Sequence, residues 1–299
     1  MADRKFRFGV VAGQANDLDQ LAAFVRQTED AGYDVLLSPD TMNLAAPFTT
    51  LTAAATLSRT LRVGTFVLAA PLYRPAAIAW QTASIDRLTG GRFELGIGAG
   101  RPDAAGEAER LGVPWGSPGQ RVDQVAETLT GVKATFADAF EAADKASGGA
   151  PPEHGFLRPA QRPHPPVMIA AGGPKLLSLA AREVDIISFA GGSRAGEADL
   201  AERVRLVREA AGDRFDDLEL SLNVFAVGDT ELPPWITGRF GIDPALATDN
   251  QLLSVLNGDT DTIADVLLRR RDEFGISYVC VNSFAMAAFA PVVERLSGR

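Results

Sequence analysis

The sequence predicts an α/β fold, a (β/α)8 or TIM barrel with insertions. Three observations predict it. Short β-branched runs alternate with longer amphipathic stretches along the chain, which is the pattern of consecutive βα units. Most of the runs are continuously apolar, as parallel strands covered on both faces must be. The 299 residues also suit an α/β barrel folded as one unit, so a single domain over residues 1–299 is expected.

Eight strands can be placed, over Phe6 to Ala12, Val35 to Ser38, Arg62 to Leu68, Phe93 to Ile97, Val167 to Ala171, Ile186 to Phe189, Leu218 to Val227 and Ser277 to Val281. Between them the helices carry starts and stops. Pro75 suits a first helical turn, Gly90-Gly91 ends that segment, and Gly32 closes the first helix. In that first helix Asp19, Gln20, Arg26, Gln27 and Glu29 form the wet face, with Leu18, Leu21, Ala22, Val25 and Thr28 or Ala31 inward. Residues 138–166, rich in Ala, Gly and Pro, and 228–259, with Pro233-Pro234-Trp235, break the rhythm and read as insertion loops. The second follows the seventh strand and is a lid candidate.

Composition narrows the function. A net charge of −9 opposes a duplex nucleic-acid surface, which needs a basic stripe. No stretch approaches the ~20 apolar residues of a membrane span, and the start lacks a signal-peptide core, so a cytoplasmic protein is expected. Cys280 stands alone within Tyr278 to Val281 and reads as a buried structural thiol. His154 and His164 lie in the Pro-rich insertion, and there is no HExxH, CxxC or GxSxG. Metal chemistry and covalent hydrolysis therefore have no evident residues. A cofactor carrying its own reactivity remains.

In a barrel of this type the active site forms just past the strands' C-terminal ends. The sharpest signal there is Ala171-Gly172-Gly173-Pro174-Lys175, a glycine turn opening a helix, where backbone N–H groups, the helix dipole and Lys175 favour a phosphate. A plain strand-to-helix link is the alternative. Gly96-Ile97-Gly98-Ala99-Gly100-Arg101 fails the dinucleotide fingerprint, because Arg101 stands where the third glycine is needed. Its small residues keep the strand end flat for a planar ring or serve close packing. Arg101 is a candidate for an anionic substrate or cofactor tail. Asp40, after Ser38-Pro39, is a candidate for cofactor contact or proton transfer, with a turn cap as the alternative.

The chain resembles the luciferase-like monooxygenase superfamily, and within it the deazaflavin (F420) dependent branch. The resemblance is carried by Gly32-Tyr33-Asp34, Arg62-Val63-Gly64-Thr65, Asp86-Arg87-Leu88-Thr89-Gly90-Gly91-Arg92-Phe93-Glu94 through Gly100, Leu111-Gly112-Val113-Pro114, Ala171-Gly172-Gly173-Pro174, Gly275-Ile276-Ser277-Tyr278 and Phe289-Ala290-Pro291. It implies a bulged third strand with a non-proline cis peptide at Phe66-Val67, set against the cofactor ring. It implies too that Ala69 and Gly98, Ala99 and Arg101 border the ring while Gly172 and Gly173 bind phosphate. F420 members usually carry His after the strand-two Asp, and the sugar-phosphate dehydrogenases among them Glu after the strand-four glycines. Thr41 and Arg101 hold those places here, which turns the expectation from sugar oxidation toward C=C or C=N reduction. F420 is the expected cofactor and FMN the alternative, as in a reduced-flavin monooxygenase. A non-catalytic cofactor-binding barrel is the third reading. The resemblance also implies a homodimer, a small-molecule substrate and a separate cofactor-reducing enzyme.

Overall fold

A computed structural model of the chain describes residues 4–15, 17–145, 155–191, 194–228, 233–234, 238 and 252–299. In chain order its strands are β1 (Arg7–Val11), β2 (Val35–Ser38), β3 (Arg62–Thr65), β4 (Leu68–Ala69), β5 (Phe93–Gly98), β6 (Val167–Ala171), β7 (Ile186–Phe189), β8 (Glu219–Val224), β9 (Ala226–Val227), β10 (Val255–Leu256) and β11 (Ile276–Asn282). The helices used below are α1 (Leu18–Asp30), α2 (Pro47–Leu57), α3 (Pro75–Leu88), α4 (Ala105–Leu111), α5 (Pro118–Lys145), α6 (Pro174–Glu183), α7 (Glu197–Ala211), α8 (Thr260–Phe274) and α9 (Met286–Leu296). All eight predicted strands are present, two of them interrupted. The chain groups into two compact units, Met1–Leu37 with Ile169–Arg299, and Ser38–Met168.

The first unit joins both ends of the chain. Its parallel strands run β2, β1, β11, β8, β7, with Gly9 opposite Val35 and Cys280, and Ser221 opposite Ser188. Arg7 lies over the Tyr278 ring at 4.5 Å and pairs with Glu219 at 2.8 Å. On the other side of β1, Phe8 stacks on Phe6 at 5.8 Å and meets Phe289 of α9 edge-on at 5.7 Å. Helix α1 buries Leu21, Val25 and Thr28, and Asp17 caps it by accepting from Gln20 N at 2.8 Å. Leu18, expected inward, is instead 61% exposed, since it sits one residue past that cap, in the opening turn. Cys280 is fully buried, as expected of a structural thiol.

The predicted strand over Leu218 to Val227 is two, because the chain breaks at Phe225 and β9 turns to pair with β10. This changes the reading of the 228–259 insertion. Its end is built into the unit: Gly228 N donates to Leu256 O at 2.7 Å, and Leu253 N to Ala195 O at 3.0 Å. Fully buried Arg270 of α8 fastens the same end, donating to Leu252 O at 3.0 Å and to Glu197 at 3.1 Å. Residues 229–232, 235–237 (Trp235 included) and 239–251, where a lid would have to lie, fall outside the described residues.

In the second unit β5 pairs in parallel with β3 through Val63 opposite Phe93, and with β4 through Leu68 opposite Ile97. The other expected insertion begins later than 138, because residues 138–145 complete α5, whose Ala139 and Phe140 are buried on its apolar stripe. His154 falls outside the described residues, while His164 Nδ1 lies 2.9 Å from Pro165 O. The Asp86 to Glu94 stretch that carries the resemblance is scaffold. The Asp86 carboxylate accepts from Ala160 N, Gln161 N and Gln161 Nε2 at 2.7–2.9 Å, and Glu94 pairs with Arg62 at 2.5 Å. No helix among the described residues is long and apolar enough to cross a membrane.

Candidate active site

In the Ser38–Met168 unit, the residues following β2, β4 and β5 converge around Asp40. The peptide between Phe66 and Val67 is cis, at the place the resemblance implies, and it separates β3 from β4. Across that break a side chain replaces the backbone ladder: Thr65 Oγ1 accepts from Gly96 N and donates to Gly96 O, both at 2.8 Å. Glycine is needed opposite, since a Cβ at position 96 would stand 2.0 Å from Thr65 O. Phe66 N donates to Ser38 O at 2.8 Å, which anchors the break to the end of β2.

Asp40 is buried, and both its carboxylate oxygens are engaged. Oδ2 accepts from Ala69 N and Oδ1 from the Tyr73 hydroxyl, each at 2.9 Å. Burial pushes the Asp40 carboxyl above its ordinary value and Glu107 pushes the same way, while the two donors and Arg101 oppose the rise. Burial and the facing Asp40 also raise the Tyr73 phenol. A carboxylate so placed holds the segment from Ala69 to Tyr73 against the end of β2. Tyr73 was not visible as a candidate in the sequence, because Leu72-Tyr73-Arg74 matches no motif and only the fold brings it to Asp40.

Gly98, Ala99 and Arg101 are braced from their own side. Arg121, itself buried, donates to Ala99 O at 3.0 Å and to Gly116 O at 3.1 Å, and lies 4.6 Å over the Trp115 ring. Gly100 has φ +77°, and a Cβ there would come within 2.4 Å of Trp115, so close packing is one reason for small residues in this turn. Arg101 donates to Asp40 O at 3.0 Å and to Asp103 at 3.1 Å, with Glu107 at 3.7 Å. Glu107, from α4, also accepts from Thr41 Oγ1 at 3.0 Å and from Met42 N at 3.3 Å. Glu107 too escaped the sequence reading; it lies six positions past Arg101 on a short helix with no spacing signal.

The other predicted group belongs to the unit containing the chain ends. Ala171 ends β6, Gly172 and Gly173 turn, and Pro174 opens α6 without a side-chain cap. A Cβ at Gly172 would lie 2.3 Å from Ala190 O, whereas one at Gly173 would meet nothing within 4 Å. Gly172 is thus demanded by packing, and Gly173, Pro174 and Lys175 are exposed around a helix start whose geometry suits an anion. Among the described residues no His, Cys, Asp and Glu group could hold a metal ion.

Comparison with known proteins adds four likenesses. A family profile described as luciferase-like monooxygenase matches residues 5–231. A 5,10-methylenetetrahydromethanopterin reductase of Archaeoglobus fulgidus is 32% identical over 162 residues, 54% of this chain and 46% of the reductase, so the match spans about half the length of each. An F420-dependent glucose-6-phosphate dehydrogenase of Nakamurella multipartita is 29% identical over 250 residues, 77% of this chain and 70% of that one. Among solved structures, a long-chain alkane monooxygenase superposes with TM-score 0.77 at 14% identity, covering 99% of this chain and 92% of that one. The last likeness speaks for the fold alone, a (β/α)8 barrel.

Proposed function

The chain belongs to the luciferase-like monooxygenase family, and from that membership we propose an oxidoreductase that uses F420 to move a hydride to or from a small organic substrate, in the sense of C=C or C=N reduction. The observation that carries the reading is the Asp40 clamp. Donation from Ala69 N and Tyr73 Oη to one buried carboxylate makes the segment after β3 a fixed ledge, and fixed ledges position planar cofactors at no cost in ordering. The F420-dependent dehydrogenase relative supports the deazaflavin, and the reductase relative supports a reduction.

The residues present fit such a group. In the Ser38–Met168 unit Phe66, Val67, Ala69 and the Gly98 to Arg101 turn would border its ring; in the other unit the Gly173 to Lys175 helix start has, by itself, the geometry that suits an anion. F420 bound in its reduced form would supply the hydride for the reduction. The protein's part is to orient and exclude water: Asp40 holds the ledge, Arg121 and Trp115 hold the turn, and Thr41, Arg101 and Glu107 present polar groups beside them. A second reading is a reduced-FMN monooxygenase, for which the matching family's own description as luciferase-like monooxygenase speaks.

The test is a titration of the purified protein with F420 and FMN, each oxidised and reduced, read by tryptophan fluorescence; Trp115, packed on Gly100, is the expected reporter. Micromolar F420 binding with far weaker FMN binding is the expected result. Preference for reduced FMN, with oxygen consumed, would replace it with the monooxygenase reading.

A further inference from the structure

Thr41, Arg101 and Glu107 form a cluster with two polar atoms left over. Arg101 engages Nη1 with Asp40 O and Nε with Asp103. Glu107 engages Oε1 with Thr41 Oγ1 and Met42 N. Arg101 Nη2 and Glu107 Oε2 are buried and have no hydrogen-bond partner, Nη2 standing at ion-pair distance, 3.7 Å, from the other oxygen of the same carboxylate. Buried polar atoms are nearly always paired, so an orphan calls for an explanation. Here two occur on neighbouring side chains and are opposite in kind, because a guanidinium nitrogen only donates and a carboxylate oxygen only accepts.

A group that satisfies both must carry an acceptor beside a donor. We infer that Arg101 and Glu107 read a planar amide edge on the substrate, with C=O toward Arg101 Nη2 and N–H toward Glu107 Oε2, as a primary amide or a lactam offers. An ester has no donor for Glu107, and a carboxylate would set charge against charge. The side chains of Arg101 and Glu107 keep 32% and 14% of their surface exposed, and the amide edge would reach the two buried atoms by entering where Arg101 Nη2 and Glu107 Oε1 stand 3.7 Å apart. That other carboxylate oxygen, Oε1, lies 3.3 Å from its donor Met42 N and 3.0 Å from Thr41 Oγ1, whose hydroxyl it shares with Asn43 Oδ1 at 2.5 Å. The inference names a substrate class for the proposed reaction and rests on that reading for its chemistry, while the binding it requires needs no cofactor.

Isothermal titration of the purified protein with cinnamamide, methyl cinnamate and cinnamate, without cofactor, tests it. The amide should bind about tenfold or more tightly than either comparator, the scale expected when buried partners are left unpaired. Glu107→Gln presents a donor where the acceptor stood and should turn the preference toward cinnamate. Equal binding of the three, binding of none, or an unchanged preference in E107Q would overturn the inference. If E107Q does not fold, the wild-type ranking decides alone. Displacement of cinnamamide by lumiflavin, whose ring carries the same edge, would move the edge from substrate to cofactor and overturn the substrate assignment. Amide preference without F420 binding would sink the proposed cofactor and leave this site standing.

Discussion

At Asp40 two opposing effects meet on one carboxylate. Burial disfavours its charged form, whereas the Ala69 N–H and the Tyr73 hydroxyl favour it; burial and Glu107 prevail, and the carboxyl rises above its ordinary 3.8. The native state then holds this proton more tightly than the unfolded chain does. Its contribution to stability therefore falls as pH rises from 3.8 through the raised native value, and levels off above it. Asp40→Asn does not titrate, so urea denaturation of both proteins across that window should show the difference moving in the variant's favour with rising pH. Movement the other way would mean that the two donors outweigh burial. The same residue shows why a sequence reading stops short. Its place at a strand end pointed to the site, but whether its oxygens face a ligand or its own backbone depends on Ala69 and Tyr73, about thirty residues away.

At the level of elements, the cis peptide between Phe66 and Val67 separates β3 from β4 in the Ser38–Met168 unit. Thr65 and Gly96 repair the break with two reciprocal hydrogen bonds, which satisfy donor and acceptor where no ladder can run. Gly96→Ala should cost about 1–3 kcal/mol or more through overpacking, since the new methyl meets backbone that cannot yield. A urea-denaturation midpoint unchanged from wild type would contradict this. The length of α5 is the opposite lesson: its Ala-rich end reads as loop by composition, yet Phe136, Ala139 and Phe140 extend the buried stripe. A helix continues as long as one face finds something apolar to cover.

Across the whole molecule, the unit containing both termini depends on contacts between the chain's extremes. Strand β1 lies in register with β11, Phe6 N donates to Arg299 O at 2.8 Å, and α9 places fully buried Phe289 against Phe8. Removing residues 286–299 strips Phe289, Val293 and Leu296 from that core, where each large apolar side chain is worth about 2–5 kcal/mol. Against a net stability of about 5–15 kcal/mol, the truncated chain should lose its cooperative thermal transition. A sharp melt retained in circular dichroism would show that α9 is dispensable. The net charge of −9 bears on solubility rather than fold.

By itself the sequence determined the class of fold and the location of most strands, because hydrophobic period, glycine turns and helix openers are local signals that survive without a partner. It also determined the scaffold motif from Asp86 to Glu94 and the two glycine-rich turns. Only the tertiary structure decided that Asp40 is held by Tyr73, that Gly100 makes room for Trp115, that Arg101 meets Glu107, and that the end of the 228–259 segment is fastened by Arg270. Those are contacts between side chains far apart in sequence or without a repeating spacing. Such pairings carry no periodic signature, and they exist only once burial has removed water as the competing partner.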